Sequence, residues 1–306
     1  KARTELDAGD AKLAMSTYAR LIEFDRRLPA AHRGLVDCLA RMGRVDEAIL
    51  QYRPAAQRDP RDDVSHYALA RAYSYYGPED WLGGGAAARR RVAIDREALE
   101  LLGQAIIVRF EIDYYHQLRG FLFNRIALAT DDAAAKVQAL DSYVTALALS
   151  DHAEDPRNYA DLLFNVGEGY MLVEQPENAY DFYRRAMDAG FEFEGTRGEA
   201  ALEKISRSAI ESGQYEFAAA LLQRARKRLP HPLPEDRQER TGALVRKARI
   251  LDQLALVHYL DGRHAEAADY YARVIETLRG LLRLDRSGRS GYLRNLVRAE
   301  RNQAVN

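Results

Sequence analysis

Gly83, Gly84 and Gly85 stand in a row ahead of a segment with helical periodicity. A helix N-terminus preceded by glycines can cradle a phosphate in its backbone N–H groups. Such a cradle follows a strand and ends in a lysine beside Ser or Thr; neither accompanies this triplet, which therefore reads as a loop. Asp151, Glu154 and Asp155 put three carboxylates in one short stretch, a composition suited to a hard cation. The glycine and the alternating ligand positions of a calcium loop are missing, so the stretch reads as a solvated connector. His258 and His264 flank a turn, and His231 lies in Pro230-His231-Pro232-Leu233-Pro234. None has the i, i+4 spacing of a zinc pair on a helix, and all three read as structural. Arg89, Arg90 and Arg91 form a cationic run that suits nucleic acid or an acidic partner, though a charged helix flank is the plainer reading. Trp81, the single tryptophan, is expected to fold back onto the chain rather than project as an anchor. No nucleotide-binding lysine loop and no nucleophile elbow is present, so no catalytic residue, cofactor or metal is assigned.

Composition narrows the partners. Lys+Arg number 45 against 46 Asp+Glu, a formal charge of −1, so the chain as a whole has no pull on phosphate backbones or anionic lipid, and no nucleic-acid partner is expected. Recognition by charge must then be local. Only six of the basic residues are lysines, an arginine bias that suggests a high-GC bacterial source. The lone Cys38 forms no intramolecular disulfide and fits a cytoplasmic and a periplasmic protein equally. No apolar run approaches the roughly 20 residues of a membrane span, so no membrane insertion is expected. The chain opens on Lys1 without a signal-peptide pattern and is expected to be a piece of a longer bacterial protein. Oligomeric state is left open.

The strongest pattern is a period. Gly9, Gly43 and Gly77 recur every 34 residues, as do Ala14 and Ala48, and Tyr18 and Tyr52. Small residues at fixed places let paired helices approach while a tyrosine fills the space beside them. The grammar returns with longer connections as Ala139/Tyr143/Ala146, Ala179/Tyr183/Ala186, Ala218/Leu222/Ala225 and Ala267/Tyr271, with Glu174 standing where a turn glycine is expected. It predicts a helix near 10–27, then pairs near 29–42/45–58, 62–76/86–110, 113–129/132–151, 156–173/175–189, 198–212/214–228 and 234–260/263–284, and a last amphipathic helix near 290–304.

Between Pro29 and Pro60, Leu35 and Leu39 line a first helix, Gly43 ends it, Ala48 and Tyr52 face back from a second, Ala55 follows, and Pro60 closes the unit. This closely resembles the tetratricopeptide repeat. The resemblance implies an all-α fold, an α-solenoid superhelix of about seven helix-turn-helix units over 1–284, with an insertion at 77–95. Residues 285–306 then form a C-terminal closing helix or begin a further repeat.

Members of this family bind extended or helical peptides on the concave surface lined by the first helix of each pair. Carried onto this sequence at i, i+4 and i+8, the expected groove residues are Arg33, Asp37 and Arg41, then Tyr67, Arg71 and Tyr75, then Asn124 with Leu128. Phe164 with Glu168, then Glu203, Arg207 and Glu211, then Asp252, Leu256 and Tyr259 continue the series. The N-terminal half offers three arginines against one aspartate and the C-terminal half four carboxylates against one arginine, so an acidic, aromatic-bearing segment is expected near Arg71. One subfamily captures chaperone C-termini through paired lysines and asparagines, which Arg33, Asp37, Tyr67 and Arg71 do not match. The expected function is therefore a protein–protein interaction scaffold rather than an enzyme. The alternatives are the periplasmic repeat arm of an envelope assembly or secretion machine, and the regulatory repeats of a larger enzyme.

Overall fold

The computed structural model describes residues 2, 6, 9–78, 80–191, 195–285 and 288–305. The chain divides into two compact units, Lys1–Gln175 with Asp181–Phe191, and Pro176–Tyr180 with Glu192–Asn306. In the first unit α1 (Ala11–Phe24) precedes the pairs α2/α3 (Pro29–Arg41, Val45–Arg58), α4/α5 (Asp63–Tyr75, Gly85–Val108) and α6/α7 (Asp113–Thr130, Ala133–Leu149), then α8 (Pro156–Leu172). α9 (Pro176–Asp188) is shared between the units. The second continues with α10/α11 (Gly195–Glu211, Tyr215–Lys227), α12/α13 (Arg237–Leu260, His264–Leu284) and α14 (Arg289–Val305). The described residues are helical with no strand among them, and successive helices pack on one another from α1 to α8 and from α10 to α14.

The helices begin where the residues dictate. Asp10, Asp62, Asp132, Asp155 and Asp236 turn their carboxylates onto free backbone N–H groups of the first turn, and Pro29, Pro156 and Pro176 occupy starting positions where a missing N–H costs nothing. The repeated alanines sit at the closest approaches: Ala48, Ala139, Ala179, Ala218 and Ala267 are fully buried. In the turn between paired helices Gly43, Gly213 and Gly262 take φ of +69°, +72° and +76°. Glu174 adopts φ +60° in the same place and closes the same pair of bonds, its own N–H to the Met171 carbonyl and that of Gln175 to Tyr170. A left-handed residue with a Cβ is strained by roughly 1–2 kcal/mol, partly offset by the entropy a glycine brings to the unfolded chain. Glu174→Gly should therefore stabilise by about 0.5–1 kcal/mol in urea denaturation. A loss of stability would mean that the Glu174 side chain outweighs its backbone.

Titratable groups lie within the core. His32 Nε2–H donates to the Arg26 carbonyl at 3.0 Å, which leaves Nδ1 to accept from the Tyr52 hydroxyl at 2.9 Å, so the ring is held neutral. Burial lowers the pKa of His32, and likewise of His116 and His258. With the folded pKa below the unfolded one, the stability these rings contribute is complete above about pH 6.5 and lost as pH falls through the depressed values. The urea midpoint should accordingly be lower at pH 5 than at pH 7.5; an unchanged or higher midpoint would contradict neutral burial. Cys38 is fully buried, and burial with the Asp37 charge pushes its thiol up to about 11, far from thiolate reactivity.

The segment after Gly77 departs from the repeat. Trp81–Gly83 form one short 3-10 turn with Trp81 half-buried, and α5 runs for 24 residues. Of the three consecutive arginines, Arg89 and Arg90 are exposed, but Arg91 is buried. A charged flank accounts for two of them only. Arg91 donates to Asp95 at 3.1 Å and to the carbonyls of Tyr73 and Tyr76. Arg125 closes on the other oxygen of Asp95 at 2.7 Å and donates to the Ser74 carbonyl at 2.8 Å. Two guanidiniums thus satisfy the open carbonyls at the C-terminus of α4, with one carboxylate between them.

Candidate functional site

In the first unit the first helices of successive pairs lie side by side, α2 on α4, α4 on α6 and α6 on α8. This packing brings Arg33, one turn into α2, beside Tyr114, the second residue of α6, with Tyr67 of α4 close to both. The Arg33 guanidinium lies over the Tyr114 ring, 4.6 Å from its centre. That contact is a cation–π pair, and the Tyr114 hydroxyl completes it by donating to Asp155 at 3.2 Å. Burial and the charges of Asp155 and Asp113 outweigh the lowering pull of Arg33 and push the Tyr114 phenol up to about 12, so it stays protonated. Beneath it, Asp113 accepts from Asn158 Nδ2 at 2.7 Å, and burial raises its pKa.

Arg71 is placed differently from Arg33. Its Nε donates to Asp37 at 2.9 Å, one Nη donates to the Tyr75 hydroxyl at 2.8 Å, and Tyr75 donates to the same Asp37 oxygen at 2.9 Å. Burial alone would raise the Asp37 pKa, but the Arg71 and Arg33 charges and these hydrogen bonds outweigh it and hold the group low. Arg71, expected to meet a partner carboxylate, is already paired within the chain, with Asp37. Arg33 has no hydrogen bond or close ion pair among the described residues; it is held by the Tyr114 ring and attracted by the Asp37 charge.

The remaining expected residues separate by burial. Tyr67 and Phe164 belong to the core and not to an accessible wall: Tyr67 packs on the Tyr115 ring at 4.8 Å, and Phe164 is stacked on Phe191 at 4.5 Å. Glu168 accepts from the Tyr183 hydroxyl at 2.6 Å, and Asn124 hydrogen-bonds Tyr143, so both brace the second helices. Arg41 reaches the Leu6 carbonyl at 2.5 Å, while Tyr75 and Leu128 are exposed. In the second unit Glu203 pairs with Arg249 at 2.9 Å, Asp252 with Arg298 at 2.8 Å, and Arg207 with Glu211 at 2.9 Å. Arg249 and Arg298 offset the acidic excess expected there. Tyr259 is exposed beside the His264 ring.

Tyr114, Asp113, Gln117 and Asn158 were absent from the expected set. Counting from the helix starts would have aligned Gln117 with Arg33 and Tyr67, whereas the i+4 series taken along α6 began too far into the helix. No group of three or more His, Cys, Asp or Glu that could hold a metal ion occurs among the described residues, and none of the described helices is long and apolar enough to cross a membrane.

The tetratricopeptide-repeat family profile matches residues 5–72. No curated protein matches the sequence significantly. Among solved structures, YrrB, described as a tetratricopeptide-repeat protein with an unusual peptide-binding site, is 13% identical with a TM-score of 0.52 over 74% of this chain and 91% of its own. Pseudomonas aeruginosa pilF is 13% identical with a TM-score of 0.51 over 81% of this chain and 90% of its own. The structure of the APC/C hetero-tetramer Cut9–Hcn1 gives 13% identity and a TM-score of 0.52 over 94% of this chain and 52% of the other. At such identities the likeness is one of fold.

Proposed function

We propose, from the premise that the chain is a tetratricopeptide-repeat protein, that it is a non-catalytic scaffold holding a partner segment on the α2–α4–α6 wall, with Arg33 as the docking cation. The repeat fold is that of a protein-interaction scaffold in general. The observation that carries the finer reading is the unshared Arg33 guanidinium, fixed by the Tyr114 ring while its neighbour Arg71 is consumed by Asp37 and Tyr75. A cation already held in one geometry loses little entropy when a carboxylate arrives, and a guanidinium fork matches that carboxylate in two parallel bonds. The exposed Tyr75 beside it adds apolar contact. An acidic, aromatic-bearing peptide suits this wall.

A random-peptide display library selected against the intact chain tests the reading. Peptides carrying an acidic residue beside an aromatic one should emerge, and Arg33→Ala should weaken a synthetic copy about tenfold, roughly 1.4 kcal/mol, without shifting the melting curve. Peptides of this class that bind Arg33→Ala undiminished would sink it. Arg71→Glu is the wrong probe, since it sets a second carboxylate against Asp37 and should destabilise the fold first.

A further inference from the structure

Helices α12 and α13 run for 24 and 21 residues, against 13 for α11, whose last residue is Lys227. The link through Pro230 and Pro234 cannot continue α11, so the α12–α13 hairpin overhangs its end. Under the overhang is a cleft of about 690 Å³, within the range of ligand sites. Along α12 Arg240, Leu244, Lys247 and Leu251 fall at i, i+4, i+7 and i+11, one face of a helix turned into the cleft. α13 brings Arg273, Glu276 and Arg283, and the end of α11 brings Arg226.

Five cations against one carboxylate is a local imbalance in a chain whose net charge is −1. Arg273 is partly occupied by Asp269 at 3.0 Å. Arg226, Arg240, Lys247 and Arg283 have no ion-pair partner among the described residues. Like charges gathered this way raise one another's energy, and an anionic ligand relieves it. Between the cations lie Leu244, Leu251 and Leu284, so the lining is alternately basic and aliphatic, not a converged set of donors around one point. Arg237 ties the hairpin at this end by donating through Nε and one Nη to the Leu284 carbonyl at 3.0 and 2.5 Å, which fixes the spacing before anything binds. Gly280 also lines the cleft, and a Cβ built there meets no atom within 4 Å.

We infer that this cleft is a second docking site, for an acidic peptide segment of a partner whose carboxylates flank an aliphatic side chain. The alternation of cations and leucines on two helices requires charge on both sides of an apolar group, which a peptide supplies and a compact phosphate does not. It is independent of the α2–α4–α6 wall.

The same display selection on the intact chain, read with different variants, tests it. A class of peptides with Asp or Glu on both sides of Leu, Ile or Met is expected. A synthetic copy should lose at least tenfold in affinity against Arg240→Glu/Lys247→Glu and keep its affinity for Arg33→Ala. Gly280→Leu fills the cleft without touching its charges and improves a helix position, so it should abolish binding with no loss of melting temperature. Absence of such a class, or unchanged affinity for both cleft variants, overturns the proposal. So does saturable binding of phosphatidylserine vesicles or inorganic polyphosphate through Arg240 and Lys247 with no peptide dependence on them.

Discussion

Asp95→Ala should lower the unfolding free energy of the first unit by about 3–5 kcal/mol, because it leaves two buried guanidiniums without their shared counter-charge. Asp95 is fully buried, Arg91 and Arg125 nearly so, and both lie against the end of α4. With the carboxylate present, each arginine divides its donors between Asp95 and the carbonyls of Tyr73, Ser74 and Tyr76, and the carbonyl dipoles supply the rest of the compensation. Without it, two like charges face each other in a site water does not reach. Asp95→Asn keeps the volume and an acceptor but not the charge, and should cost nearly as much. Replacing all three residues with apolar ones of similar size should recover most of the loss, since what is costly is a broken network and not an absent one. Urea unfolding followed by the fluorescence of Trp81, half-buried ahead of α5, reports on this region. A loss below about 1 kcal/mol for Asp95→Ala would show that water or rearrangement screens the arginines, contrary to their burial.

That network also marks where sequence reasoning stops. The 34-residue recurrence located the turns at Gly43 and Gly213, and the alanine-tyrosine grammar located the close approaches at Ala48, Ala139 and Ala218, because helix pairing needs small residues at those places whatever the rest of the chain does. Even Glu174 was legible as a turn lacking its glycine. Arg91 and Asp95 gave a signal too: they lie on the stripe continued by Ala98, Leu102 and Ala105, where a polar residue must be paired. Their partner Arg125 lies 30 residues on from Asp95, on the next helix, and no local pattern joins them. The wall was lost for the same reason. Arg33 and Arg71 are alike in type and phase, and only tertiary geometry gives Asp37 to one and the Tyr114 ring to the other. Tyr67 is the converse case, a side chain of the right phase that neighbouring helices cover almost completely.

Gly34→Leu should cost about 3 kcal/mol, near the upper end of what overpacking imposes. An ideal Cβ on Gly34 would lie 2.1 Å from the Tyr18 ring, and the other close atoms are from that same ring, so one side chain fills the whole site. The ring is buried between α1 and α2 and cannot swing clear without opening that contact. Gly120 and Gly167 accommodate Tyr143 and Tyr183 in the same manner, at 2.5 and 2.6 Å, which makes the glycine-tyrosine contact a recurring device of the first unit rather than a local accident. Gly103, also within a helix, has nothing within 4 Å of a built Cβ. Gly103→Ala should therefore gain up to about 1 kcal/mol from helix propensity alone, and it separates the effect of packing from that of merely replacing a helical glycine. Truncating the ring should remove the clash: Tyr18→Ala/Gly34→Leu should be less destabilised than the sum of its single changes by about 1–2 kcal/mol. Because Gly34 is next to Arg33, any shift of α2 that relieves the clash also moves the guanidinium off Tyr114, so peptide binding at the wall should fall with stability in Gly34→Leu and return in the double variant. If Gly34→Leu melts with the parent protein, or the two changes are simply additive, the ring does not occupy the space against Gly34 and the α1–α2 packing described here is wrong.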